Sequence, residues 1–422
     1  SRPLMPLESE IVLVQSNGMA EWLKMTLARE GGVCAATRVE LPARFLWRTY
    51  RQVLGRDQVP SYSPLDKTAL TWRLMRLLPA LLAEPGFEPV AGFLLPGEPD
   101  RLYQLASRLA DLFDQYQVYR ADWLDAWAEG RDVLPSLAGG VQPVPADQLW
   151  QPRLWRILLA ELNEFELACI RPQLHRRVLS TLQSGQPLAS PVARRVVLFG
   201  MTAVPLPTLQ TLSALAGHSQ VLLAIPNPCR FHWADIMDGR ELLRMERRRH
   251  PLKAGRDLAA LPLEEMHAHA HPLLAAWGRQ GRDFVRQLDE FDNSLQAREH
   301  LPLPRIDLFE EDDPLGAPLL TQVQNRIRDL VPLSEHPAVQ ADAGDRSIVF
   351  HVAHSTLREV EVLHDQLLNL FAQTPAESGL VPLQPRDVVV MVPDIDKVAP
   401  AIRAVFGQYS RHDARYIPFD IA

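Results

Sequence analysis

The stretch IVLVQSNGMAEWLKMTLA, residues 11–28, runs an apolar strand into a turn at Gln15–Gly18 and then into an amphipathic helix. Nucleotide-binding enzymes hold phosphate on this plan. They use consecutive backbone N–H groups from a glycine-rich loop, with a Lys and a Ser or Thr at the helix start. This turn supplies Gly18 alone and no Lys-Ser/Thr pair, and Gly-x-x-x-x-Gly-Lys-Ser/Thr occurs nowhere in the chain. LAREGGVCAATR, residues 27–38, has two adjacent glycines and no lysine after them. A magnesium nucleotide would lack its main electrostatic clamp, so neither ATP hydrolysis nor any cofactor is expected. The remaining chemistry-bearing clusters are weaker. The pairs Glu310-Glu311 and Asp312-Asp313 sit in a polar stretch and read as solvated loop charge rather than a nuclease site. His267, His269 and His271 alternate, which on a strand would set three imidazoles on one face that could hold a metal, but no carboxylate accompanies them. Arg247, Arg248 and Arg249 either touch phosphate or solvate a helix. No catalytic residue and no metal site is expected.

The elements that would position a site are those of an α/β protein. The chain has 422 residues, 47% of them apolar, which is enough for two or three cores. Strands are expected at 11–15, 36–41, 195–200 and 220–226, each a short apolar run bounded by turn residues and followed by helical periodicity, as in a parallel sheet covered on both faces. From about 64 to 185 the pattern is helical: SPLDKTALTWRLMRLLPALL and RLYQLASRLADLFDQYQVYRADWLDAW space their leucines at helical intervals. A charged helix is expected at ELLRMERRRH, then a Pro-rich crossing, then a second α/β unit. That unit has strands at SIVFHVAHS and PRDVVVMVPD, with helices at TLREVEVLHDQLLNLFAQ and IDKVAPAIRAVFG. The ends look trimmed, since the chain opens almost directly on an apolar strand and stops at YIPFDIA without a closing element. Cys34, Cys169 and Cys229 are few and far apart, fitting reduced thiols rather than a disulfide frame. No apolar run of membrane-spanning length and no leader is recognisable, so a soluble, cytoplasmic protein without membrane contact is expected. The net charge of −7 argues against coating DNA by bulk attraction. Any contact with nucleic acid must be local.

Several runs carry a family resemblance: the opening stretch, LPARFLW at 41–47, LADLFDQYQVYRADWLDAW at 109–127, IPNPCRFHWADI at 225–236, PLLAAWGRQGRDF at 272–284 and FHVAHSTLREVEVLHDQLL at 350–368. In this order they resemble the N-terminal part of the RecC family, the gamma subunits of exodeoxyribonuclease V, the RecBCD helicase–nuclease. The resemblance is weak only at about 251–270 and 293–345. It implies an α/β fold made of a RecA-like, superfamily 1 helicase-like domain that has lost its ATPase motifs, with an inserted helical subdomain, followed by the start of a second such domain. The implied layout is the first part of domain 1 at 1–63, the insertion at 64–185, the remainder with helical and loop extensions at 186–340, and the second domain from 341 to 422.

The resemblance also implies a function: a non-catalytic subunit that holds RecB-type and RecD-type partners, guides single-stranded DNA from forked duplex, and recognises Chi. Carried over position by position, the reading residues are Gln15, Asn17, Glu21, Leu41, Trp47, Asp111, Leu112, Asp114, Gln115, Arg120 and Arg176. Amide, carboxylate and guanidinium groups can discriminate the exposed pairing edges of single-stranded bases, and Trp47 offers a stacking face. Two positions depart from the family pattern, which has a small hydroxyl residue where Asn17 stands and an amide where Glu21 stands. Glutamate only accepts hydrogen bonds, so the departure implies either a different preferred sequence or weaker recognition. Each residue also has a plainer reading: Trp47 as a core anchor, Asp111 and Asp114 as a solvated face or as ion-pair partners of Arg108 and Arg120, and Arg120 as a snorkelling side chain. The competing function is a stand-alone helicase- or nuclease-type enzyme.

Overall fold

The computed structural model describes residues 4–5, 8–81, 83–94, 99–135, 140–231, 233–234, 271–291, 309, 316–336, 342–372 and 383–421. They fall in two compact units, Ser1–Phe309 with Ile327–Glu335, and Glu310–Arg326 with His336–Ala422. The first opens with β1 (Glu10–Leu13), α1 (Asn17–Gly31), β2 (Thr37–Glu40) and α2 (Pro42–Leu54). Helices α3 (Lys67–Leu81), α4 (Glu88–Leu94), α5 (Pro99–Tyr119) and α6 (Ala121–Ala128) follow, then the strands β3 (Val133–Pro135) and β4 (Val141–Pro143). Next come α7 (Trp150–Ala160), α8 (Glu164–Ala168), α9 (Arg171–Gln183), β5 (Arg195–Phe199), α10 (Leu206–Leu215) and β6 (Gln220–Ala224). Helices α11 (Pro272–Trp277), α12 (Arg279–Asp289) and α13 (Leu319–Arg328) follow among the described residues.

Strands β2, β1, β5 and β6 form one parallel sheet in that order. The four expected strands therefore share a sheet. Side chains alternate across β1, so Ile11 and Leu13 pack with Phe45 of α2, Leu174 of α9 and Leu209 of α10, while Val12 and Val14 pack with Ala20 and Leu23 of α1 on the other face. The outer strand β6 corrects the expectation of full cover. Its Leu222 and Leu223 are 39% and 47% exposed, because no described helix closes over the edge.

The helices between β2 and β5 build a second core from Leu65 to Ile170, centred on Phe113, Trp127 and Trp155. The Trp155 ring stacks on Phe113 with centroids 5.7 Å apart, and its N–H donates to the Leu124 carbonyl at 3.1 Å. Helix α9 belongs to the sheet core instead, through Leu174, Val178 and Leu182. The antiparallel pair β3–β4 inside this otherwise helical stretch has no counterpart in the sequence reading.

In the second unit α14 (Thr356–Ala372) and α15 (Ile395–Phe406) pack through Val360, Leu367, Val405 and Phe406. Both helices match expectation. The strands expected at SIVFHVAHS and PRDVVVMVPD do not form: no ladder is made there among the described residues, and Phe350, Val352 and Met391 stand exposed. A strand is a pairing event as well as a composition, and these runs have no described neighbour to pair with. The expected helix at 241–250 with Arg247, Arg248 and Arg249, as well as His267, His269 and the acidic pairs Glu310-Glu311 and Asp312-Asp313, lie outside the described residues. His271 is not on a strand. It is buried and caps α11, its Nδ1 accepting the Leu273 N–H at 3.3 Å. No described helix is long and apolar enough to cross a membrane.

Gly18 lies in the first turn of α1 rather than in a tight turn before it. Ser16 is the cap, its hydroxyl accepting the Met19 N–H at 3.2 Å. A Cβ added at Gly18 would meet only Ser16 Oγ, at an ordinary 3.8 Å. Gly18→Ala is therefore expected to fold normally and to gain up to about 1 kcal/mol from helix propensity. A lower urea midpoint for the variant would contradict this.

Candidate nucleic-acid interface

The chain order reverses at β1, which pairs with β2 on one side and β5 on the other. In open α/β sheets, ligands lie outside the carboxyl ends of the strands at such a reversal. The segment leaving β1 carries Gln15 and Asn17, both exposed and with side-chain amides unbonded among the described residues, then Glu21, which pairs with Lys24 at 2.9 Å. Leu41 is half-buried at the carboxyl end of β2 and is the N-cap residue of α2. Trp47, on α2, packs against the sheet core, and its N–H donates to the Pro60 carbonyl at 3.0 Å.

Helix α5 supplies the next group. Asp111 pairs with Lys67 at 2.5 Å, and Leu112 rests half-buried on the helical core. Asp114 lies 2.9 Å from Arg171, which also donates to Asp66 at 2.7 Å. The Asp114 contact is an ion pair without hydrogen-bond alignment, since its Oδ1 is buried and lacks a donor in bonding geometry. Burial pushes the Asp114 carboxyl above the usual range, with Arg171 opposing. Gln115 is exposed and unbonded among the described residues. The ion-pair partners are thus Lys67 and Arg171, not the Arg108 and Arg120 of the plainer sequence reading.

Arg120 is held on three sides. It chelates Asp122 at 3.0 and 2.8 Å, donates to the Pro135 carbonyl, and lies 3.9 Å over the Trp123 ring. Arg176 pairs with Asp125 at 3.0 Å. Burial raises the Asp125 carboxyl, again against its arginine.

A groove of about 780 Å³ runs along α2 to the α5–α6 junction and the start of α9. Of the eleven residues carried over, Trp47 lines it, while Leu41 and Arg120 adjoin lining residues Pro42 and Ala121. Gln15, Asn17, Glu21, Asp111, Leu112, Asp114, Gln115 and Arg176 are not in its wall. Its charge comes from residues the sequence reading passed over: Arg38, Arg44, Arg48, Arg51, Arg56 and Arg171, against one carboxylate, Asp66. The signal was there, since Arg44, Arg48 and Arg51 fall at helical spacing opposite the buried Phe45, Thr49 and Val53. Another missed residue is Trp22, half exposed on α1 and stacked on Phe199 at the end of β5 with centroids 6.5 Å apart. Among the described residues, no cluster of His, Cys, Asp and Glu could hold a metal ion.

A half-buried chain of hydrogen bonds fixes α2. The Tyr50 hydroxyl meets His175 Nδ1 at 2.8 Å, and His175 Nε2 meets Gln210 Oε1 at 2.8 Å. An amide oxygen only accepts, so Nε2 carries the proton and Nδ1 accepts from tyrosine. Burial pushes Tyr50 up to about 12 and pulls His175 below its ordinary value. A depressed histidine stabilises the fold above its unfolded value, and that contribution is lost as pH falls through the folded one. The urea midpoint should therefore drop as pH is lowered from about 6.5, and less so in His175→Gln. Equal pH dependence in both proteins would refute the assignment.

Comparison with known proteins decides the lineage. The family described as RecC, N-terminal domain, matches residues 1–330. The chain belongs to the RecC family. It is 35% identical to the RecBCD enzyme subunit RecC of Haemophilus influenzae and 36% identical to that of Escherichia coli, over 99% of its own length in both cases. The RecBCD enzyme subunit RecC of Mycolicibacterium smegmatis is 29% identical over 95% of the chain. The chain spans 38%, 37% and 32% of the lengths of these three RecC proteins respectively.

Proposed function

We propose that the chain is part of a non-catalytic subunit of a RecBCD-type helicase–nuclease, acting in double-strand break repair by homologous recombination in the cytoplasm. The observation that carries this reading is membership of the RecC family across residues 1–330. The structure supports it from another side, because the turn after β1 is capped by Ser16 and offers no lysine to a phosphate. On this reading the sheet and its helices are a RecA-like domain that keeps the helicase scaffold without its nucleotide. The helices at 64–185 are an insertion within it, domain 1 resumes over 186–340, and residues 341–422 begin a second such domain. RecB-type and RecD-type subunits supply the motors and the nuclease. This subunit guides single strands from the forked duplex and reads Chi.

Eight of the eleven carried-over residues divide by their present partners. Gln15, Asn17 and Gln115 present open amide edges. Glu21, Asp111, Asp114, Arg120 and Arg176 are in ion pairs, so they read a base by exchanging partners. Glu21→Gln tests the reading most sharply. It releases only an exposed pair with Lys24, worth well under 1 kcal/mol, and restores an amide with nearly unchanged volume. In the assembled enzyme the variant should shift Chi preference by about tenfold, the value of one bidentate contact, with unwinding rate and melting temperature unchanged. Unchanged preference in stable Glu21→Gln, Gln15→Ala and Gln115→Ala enzymes would defeat the reading. Magnesium-dependent ATPase activity of the chain alone, lost on altering residues 15–24, would favour a stand-alone enzyme instead.

A further inference from the structure

In a chain of net charge −7, six arginines line one groove beside a single carboxylate. Three of them are already ion-paired. Arg48 and Arg38 face Glu40, and Arg171 faces Asp66 and Asp114. The other three, Arg44, Arg51 and Arg56, have no counter-ion among the described residues. Asp57 follows Arg56 in sequence but forms no ion pair with it.

Local structure does not account for these three charges. Arg44 is exposed in the first turn of α2, a turn with no acidic residue, where a cation opposes the helix dipole. Arg51 is half-buried, and its Nε has neither solvent nor a hydrogen-bond partner. Arg56 follows Gly55, whose φ of 100° is open to glycine and strained for other residues. That glycine ends α2 and carries the chain onward along the same groove. Arg44 and Arg51 are seven residues apart on one helix face, about 10 Å along the axis. This is the rise of about three stacked nucleotides of one strand. The half-buried Trp47 and the exposed Tyr62 line the same groove and offer aromatic faces beside the charges.

We infer that Arg44, Arg51 and Arg56 hold phosphates spaced along a single nucleic-acid strand, gripping its backbone without reading its sequence. The inference rests on the proposed passage of single-stranded DNA along this chain. It adds a path for the strand and separates grip from reading. A purely electrostatic grip has its own signature, because each phosphate contact contributes about 0.7 to the slope of log affinity against log salt for a single strand.

The test is a salt titration of the 422-residue chain with a fluorescein-labelled mixed-sequence strand, followed by anisotropy. Each of Arg44→Gln, Arg51→Gln and Arg56→Gln should reduce the slope by about 0.7, and the triple variant by about 2. The triple Lys variant should keep the wild-type slope, and circular dichroism and melting temperature report whether each protein is folded. If the triple Gln protein fails to fold, the three single variants decide. Folded variants with an unchanged slope overturn the groove as a backbone path and leave the Chi reading standing. A wild-type chain without salt-dependent binding overturns it too, and so does displacement of the strand by polyglutamate at equal charge concentration. The converse failure, altered slopes with no Chi response in the Glu21 and Gln15 variants, supports the grip and defeats the reading.

Discussion

Replacing Trp47 by Ala should lower the unfolding free energy of the chain by about 2–4 kcal/mol, somewhat below the cost of removing a fully buried aromatic because the ring is only half-buried. The loss has two sources. The ring leaves a gap against the sheet core and Tyr50, whose centroid is 6.2 Å away, and the Pro60 carbonyl loses the indole N–H. Trp47→Phe keeps an aromatic face toward the groove and forfeits only the hydrogen bond and part of the volume, so its cost should be nearer 1 kcal/mol. The pair separates anchor from platform. If Trp47 stacks on a base, the Phe enzyme keeps most of its Chi response while the Ala enzyme loses it beyond what its lower stability explains. Urea unfolding and Chi-dependent fragment production on the same preparations supply both readouts. An Ala variant as stable as the parent would refute the anchoring role.

Arg171→Ala should cost about 2–3 kcal/mol at neutral pH, somewhat less than breaking a fully buried pair, because the arginine and both carboxylates keep about 30% of their side-chain surface. The deficit has a pH signature. Without the guanidinium, Asp66 and Asp114 face each other's charge, and the already raised Asp114 moves higher. A carboxyl whose folded value lies above its unfolded one favours the folded state at low pH, and that contribution disappears as pH rises through the folded value. The destabilisation should therefore shrink as the buffer is acidified from neutral toward about pH 4. Asp114→Asn should be much milder, since it removes the buried charge and leaves Arg171 paired with Asp66. A deficit independent of pH would show that Arg171 acts by packing alone.

The sheet was legible because its signal is local. IVLVQ and RVVLFG are short apolar runs between turn residues, and they could only be buried strands or buried helix segments too short to stand alone. The pair β3–β4 was not legible, being two three-residue strands that each contain proline. SIVFHVAHS and PRDVVVMVPD show the opposite failure. Their composition suits a strand, but a ladder needs a neighbour, and composition does not provide one. The eleven reading positions came from resemblance, and nothing in residue types marks Leu112 or Gln115. The arginine groove failed to show for a third reason. Arg44, Arg48 and Arg51 are equivalent on a helical wheel, and only the fold brings Glu40 from β2 against Arg48 while leaving the other two unmatched.

The pairing of β1 with β5 places Ile11 beside Val196, with the whole helical block between them in the chain. An unstructured loop of that length closes only against a substantial loss of chain entropy. The block spares most of it, because its buried residues form a core of their own from contacts within and between neighbouring helices. Once that core has formed, the ends of the segment are held by a compact body rather than a coil. The central sheet pairing is then expected late in folding, because contacts distant in sequence form slowly, and pulsed hydrogen exchange should show the β1–β5 amides protected after those of the helical block. The face of the first strand that carries Val12 and Val14 meets α1 and Val39 of β2 from nearby in the chain, whereas Val197 and Phe199 reach it only across the helical block, so that block sets when the β5 side of β1 is closed to misassociation.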